Sequence, residues 1–183
     1  MPDSICIIRH AEKQLGDGPP HGISIDGSAD PESLIVAGWQ RAGALISLFA
    51  ARPGATAPLP TPSRLFASEI GPHSHSRRPI ETLVPLSARL GVTLDEPFLQ
   101  DEIDQLVTVL KASSGHVLVA WEHKRIPLIA NQLVGSRAVV PQVWPDDRFD
   151  LVWVFEPNPD APTFRLRQVP QLLLAGDRAE PIS

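Results

Sequence analysis

Two histidines occupy matching places in this sequence. His10 follows the apolar run Ser4–Ile8 with Arg9 between them, and His123 follows the apolar run His116–Trp121 with Glu122 between them. An imidazole nitrogen can attack phosphorus, dividing one difficult displacement into two easier ones. A guanidinium fork beside it matches the non-bridging phosphoryl oxygens in shape and charge. One strand-end histidine is as readily a satisfied polar group at a sheet rim. Two, with an adjacent arginine, point to chemistry on an anion.

Such residues need elements that carry them to one place. Ser4–Ile8 is short, isoleucine-rich and bounded by polar residues, as a buried strand of a parallel sheet would be. Ligands in open α/β sheets bind beyond the carboxyl ends of strands, where Arg9 and His10 fall. Residues 14–32, crowded with Gly, Pro, Asp and Ser, form a long loop. Leu34–Ala50 has helical spacing, with Pro53-Gly54 as its stop, and 51–62 is a Pro- and Ala-rich surface connection. Arg64–Ser68 gives a second strand. Pro79 opens a helix to Leu90 that Gly91 ends, with Arg78 at its start. Ile103–Lys111 and Ile126–Val134 are further helices, and His116–Trp121 is a third strand. Phe149–Phe155 alternates as a strand, with Phe164–Val169 as a partner across Pro157-Asn158-Pro159. The expected architecture is a three-layer α/β/α sandwich with a mostly parallel mixed sheet and a late antiparallel edge. One domain over 1–183 is expected, with the tail beyond Leu174 fraying.

Composition narrows the partners. The 183 residues carry 16 basic and 21 acidic side chains, a net charge of -5. That balance lacks the overall basic field that drives binding to nucleic acid or anionic lipid, so neither nucleic acid nor membrane is expected as a partner, and an anionic substrate must be met locally. No apolar run approaches the roughly 20 residues of a membrane span, and the first residues lack a signal-peptide pattern. Cys6 is alone, which fits a reducing compartment, the cytoplasm, and a buried small hydrophobe rather than a reactive thiol.

Ile8-Arg9-His10-Ala11-Glu12-Lys13 resembles the Arg-His-(Gly/Ala)-Glu signature of the histidine phosphatase superfamily, the phosphoglycerate-mutase-like fold. Leu34, Gly38 and Arg41-Ala42 are similar to its first-helix block. Ala67-Ser68 and then Arg78-Pro79-Ile80-Glu81-Thr82 resemble its second strand and Arg-x-x-x-Thr helix start, and Trp121-Glu122-His123 supplies the late histidine. Four blocks in order, spanning the chain to about Val169, carry the resemblance. It implies a phosphatase acting on a small phosphorylated molecule or a phosphoprotein. His10 would be the nucleophile, Arg9, Arg78 and His123 would hold the phosphoryl group, and phosphate, sulfate and vanadate would be ligands; no metal and no cofactor are expected. Glu12, Lys13, Arg77, Glu122 and Arg148 are candidate substrate contacts.

Two features depart from the family pattern. Nine residues, Glu69 to Arg77, separate Ser68 from Arg78 where a short turn is usual, so Arg77 competes with Arg78; the Arg-x-x-x-Thr spacing selects Arg78. The usual general acid has no clear counterpart. Asp101 and Glu102 are the candidates, with Asp104 beside them, although acids also favour the first turn of a helix for its dipole alone. Without such an acid, activated phosphates such as phosphohistidine would be preferred. Other readings are a non-catalytic phosphate-binding or scaffolding protein, a phosphoglycerate-type mutase, and a metal hydrolase built on His73 and His75, a pair with no third ligand at suitable spacing.

Overall fold

A computed structural model describes residues 1–50 and 56–183. The elements run in the order β1 (Ser4–Arg9), α1 (Val36–Ala44), α2 (Ile46–Phe49), β2 (Arg64–Glu69), α3 (Arg78–Leu90), β3 (Leu94–Leu99), α4 (Ile103–Ala112), β4 (His116–Trp121), α5 (Ile126–Val134), β5 (Leu151–Pro157) and β6 (Phe164–Pro170). They build a six-stranded sheet in the order β3-β2-β4-β1-β5-β6. The pairs β3–β2, β2–β4 and β4–β1 are parallel, and β1–β5 and β5–β6 are antiparallel.

The alternation of side chains along each strand divides the core into two layers. Ile5 and Ile7 of β1, with Val117, Val119 and Trp121 of β4, pack against Ile103, Leu106 and Leu110 of α4 and Ile126 and Ile129 of α5. Cys6 and Ile8, with Leu118 and Ala120, face the opposite way, onto Leu45 and Phe49 of the first helical region and Leu83 and Leu86 of α3. Helices cover both faces, which gives the expected three-layer sandwich with a mixed sheet. Burial pushes the Cys6 thiol up to about 12.

Four local expectations change. The helix expected over Leu34–Ala50 is two pieces that meet at Leu45, and its Pro53-Gly54 stop lies outside the described residues, as does the start of the 51–62 connection. The sequence analysis did not anticipate β3, whose run Leu-Asp-Glu-Pro-Phe-Leu lies at the sheet edge, the place in a sheet that tolerates proline. The late strand starts at Leu151 rather than Phe149. The tail beyond Leu174, expected to fray, is tied to the fold at separate points: Ile182 is buried, and its backbone N–H and carbonyl both pair with the Gln168 side chain at 3.0 and 2.7 Å. Asp177 also reaches Arg41 of α1.

Candidate active site

The register of β1 on β4 brings the two histidine segments together. Arg9 lies opposite Trp121, and the next backbone N–H, that of His10, donates to the Trp121 carbonyl at 3.0 Å. The segments Arg9-His10 and Glu122-His123 therefore leave neighbouring strands at the same edge of the sheet, where the chemistry of parallel sheets is found.

Helix α3 is fastened to the same place. The Thr82 hydroxyl donates to the Arg78 carbonyl at 2.7 Å and accepts the Ala11 N–H at 2.9 Å, which gives the Arg-x-x-x-Thr spacing a structural meaning. Glu81, one residue earlier, accepts from the Ser33 hydroxyl at 2.7 Å and the Leu34 N–H at 2.8 Å, and so fixes the entry to α1. Gly38 allows α1 to approach closely, since a Cβ there would stand 2.5 Å from the Glu12 carbonyl oxygen.

His10 is 3 % exposed. Its Nδ1 lies 2.8 Å from the Ala11 carbonyl, which can only accept, so Nδ1 carries the proton and Nε2 keeps its lone pair in the neutral ring. Burial, then the positive charge of Arg9, and after it that of Arg78 and Lys13, push the His10 pKa well below its ordinary value. The ring is thus neutral, with a defined tautomer and an unprotonated Nε2.

Arg9 is 1 % exposed. One terminal nitrogen, Nη1, donates to the carbonyls of Pro145 at 3.1 Å, Asp146 at 2.8 Å and Arg148 at 3.1 Å. The Phe149 ring covers its face at 3.8 Å. Among the described residues its Nε and Nη2 have no hydrogen-bond partner. Burial lowers its pKa to about 10, although Asp146 and Glu122 pull the other way. Arg78 is similar: it bonds the Pro31 carbonyl and, at 3.3 Å, the Ser76 hydroxyl, while its buried Nε has no partner among the described residues. Buried N–H groups of cations left unpaired in this way suit an oxyanion.

His123 is held between two carboxylates. Its Nε2 bonds Asp146 at 2.6 Å and its Nδ1 lies 3.1 Å from Glu122. A cavity of about 480 Å³ opens beside His10, lined by Lys13, Glu32, Arg78, Glu122 and Lys124 among others. His123 lines an adjoining hollow of about 310 Å³ that shares Lys124.

Of the two competing arginines, Arg78 faces the cavity, and Arg77 is exposed and paired with Asp30 at 3.2 Å. Lys13 and Glu122 line the cavity as candidate substrate contacts. Several other expectations need correction. Asp101 is half exposed and pairs with Arg125, and Glu102 accepts the Leu99 N–H at 2.9 Å at the turn before α4; neither lines the cavity. Glu12 turns to Arg41 at 2.7 Å. The Arg148 side chain is bound to Asp150 at 2.6 Å and to the Glu180 carbonyl, so only its backbone serves the site, through Arg9. His73 and His75 do line the cavity, but among the described residues no three His, Cys, Asp or Glu are placed to hold a metal ion. Asp146 and Phe149 were missed as partners of His123 and Arg9.

Neither family models nor curated proteins give a match to the sequence. Solved structures do. A protein of Agrobacterium tumefaciens, provisionally assigned as the phosphohistidine phosphatase SixA, superposes with a TM-score of 0.57 at 16% identity, covering 92% of this chain and 98% of that one. A mycobacterial glucosyl-3-phosphoglycerate phosphatase gives 0.56 at 15% identity, with 92% and 97% covered. A second mycobacterial protein, described as hydrolase 2, gives 0.52 at 16% identity, with 91% and 88% covered. The chain therefore shares the phosphoglycerate-mutase-like fold of these structures.

Proposed function

We propose that this protein is a phosphatase in which His10 forms a transient phosphohistidine. Nε2 of His10 attacks phosphorus, the bond to the leaving group breaks, and water then releases orthophosphate. Arg9 and Arg78 hold the phosphoryl oxygens through guanidinium N–H groups that have no hydrogen-bond partner among the described residues, His123 closes the far side of the site, and the two guanidinium charges balance the phosphoryl charge without a metal. The observation that carries this reading is the conjunction of a neutral His10, its Nε2 free of a proton, with buried and unpaired guanidinium nitrogens on Arg9 and Arg78.

The carboxylates of the cavity bear on the substrate. Glu32 faces Arg78 at 3.5 Å, and Glu122 is held below the ordinary carboxylate range, because His123 and Lys124 outweigh the effect of burial. Neither is suited to protonate a poor leaving group, so phosphohistidine and phosphomonoesters of acidic alcohols are the favoured substrates, on a small molecule or a phosphoprotein. A lone buried thiol suits the reducing cytoplasm.

The test is acid-labile phosphorylation. With a radiolabelled phosphomonoester and rapid alkaline quenching, label is expected on the peptide that contains His10 and is expected to be absent in His10→Ala. Turnover with no labelled histidine would refute the covalent route. Vanadate that stabilises the protein without any turnover would favour a phosphate-binding role.

A further inference from the structure

Hydrolysis of a phosphohistidine needs a group that takes a proton from the attacking water. The carboxylates expected for acid–base work are committed elsewhere: Asp101 to Arg125, Glu102 to the Leu99 N–H and Asp104 to the Gln132 amide. Among the described residues, two acids line the cavity beside His10, Glu32 and Glu122. Glu32 is spent on Arg78 and its side chain is 43% exposed. Glu122 also has a partner, Nδ1 of His123 at 3.1 Å, but it is the less exposed of the two. Its side chain is 24% exposed, and it follows directly on Trp121, whose carbonyl receives the His10 N–H. Its neighbour His123 lies between Asp146 and Glu122 itself, a contact that holds the Glu122 carboxylate in place beside the cavity.

We infer that Glu122 is the general base of the second half-reaction, a catalytic residue that removes a proton from the water attacking the phosphoryl group on His10. This rests on the phosphatase reading above. In that step the water oxygen bonds to phosphorus and the bond between phosphorus and Nε2 breaks, its electron pair returning to the His10 ring. The water proton passes to the Glu122 carboxylate and then to solvent. Glu122 can serve because it is anionic: burial alone would raise its pKa, but the hydrogen bond and charge of His123, with Lys124, bring it below the ordinary value. A carboxylate so held is a poor acid and an available base. Two half-reactions with unequal demands follow, the first relying on the leaving group and the second on Glu122.

Rapid mixing with p-nitrophenyl phosphate separates them. Glu122→Gln is expected to release about one p-nitrophenol per site at the wild-type rate, followed by a steady rate roughly 10²–10⁴-fold lower, the span typical of a lost general base. Phosphohistidine should accumulate in the variant, and Glu122→Asp, which keeps a carboxylate, should recover part of the discharge rate. An unchanged steady rate in Glu122→Gln would overturn the inference. So would equal slowing of both phases, which would mean that Glu122 only positions His123. Should Glu122→Gln not fold, Glu122→Asp decides alone, a kept burst with slowed discharge supporting the base and an unaltered discharge refuting it. Absence of both turnover and phosphohistidine in the wild type would remove the phosphatase reading itself.

Discussion

Arg9 and Arg41 are both sunk in the protein, at 1 % and 3 % exposure, and they are held in opposite ways. Arg41 meets Glu12 and Asp177 at 2.7 Å each and the Gln171 amide oxygen at 2.9 Å. Burial alone would lower its pKa, but the two acids hold it above the ordinary guanidinium value. Arg9 has three backbone carbonyls on one nitrogen, an aromatic ring on its face and, among the described residues, no carboxylate within salt-bridge distance, and its pKa falls to about 10. In similarly dry surroundings, the arginine whose fork is filled ties α1 to the C-terminal tail. The one whose fork is partly open carries a charge that a bound anion would complete.

Removing each charge should separate the two roles. Arg41→Met leaves the mostly buried carboxylates of Glu12 and Asp177 unpaired, and it is expected to cost about 3–5 kcal/mol in urea denaturation, the range for a broken buried pair. Arg9→Met should cost clearly less, since no acid is orphaned, yet it should abolish the rise in melting temperature on adding vanadate. Equal stability losses would break the comparison. Arg78→Ala should lower kcat for p-nitrophenyl phosphate roughly 10²–10³-fold, as the loss of one oxyanion donor does, with the melting temperature of the unliganded protein nearly unchanged.

The smaller effects sharpen the same contrast. Gly38→Ala places a Cβ against the Glu12 backbone on the Arg41 side of the molecule, and it should destabilise by about 1–3 kcal/mol in the same denaturation assay. On the Arg9 side, the depressed pKa of His10 makes stability depend on pH. Below the ordinary histidine value of about 6.5 the unfolded chain binds a proton that the folded ring refuses, so this contribution falls as pH falls, by up to about 1.4 kcal/mol per pH unit. Chemical denaturation between pH 7 and pH 5 should show a shallower fall in His10→Ala than in wild type.

The strands at the centre of the sheet were legible because burial on both faces leaves an unbroken apolar run, as in Ile5–Ile8 and Val117–Trp121. Helix α3 was legible from a proline in the first turn and a glycine at the end, in left-handed conformation at Gly91. Edge strand β3 was not, since one exposed side and Asp95, Glu96 and Pro97 erase the apolar signal. The tail was missed because it is held by single side-chain ties such as Asp177 to Arg41, which have no periodicity. The same distinction runs through the site. Arg9, His10, Arg78 and His123 stand at the ends of regular elements and could be placed from sequence. Asp146 and Phe149 reach their partners from an irregular segment, 23 residues from His123 and 140 from Arg9, and only the folded chain brings them there.

The most direct test is hydrolysis of p-nitrophenyl phosphate in excess chelator by the wild type and by His10→Ala, with circular dichroism to show that the variant is folded. The account predicts chelator-resistant turnover in the wild type and none above background in the variant. Turnover by folded His10→Ala, or wild-type activity abolished by chelator, would contradict it.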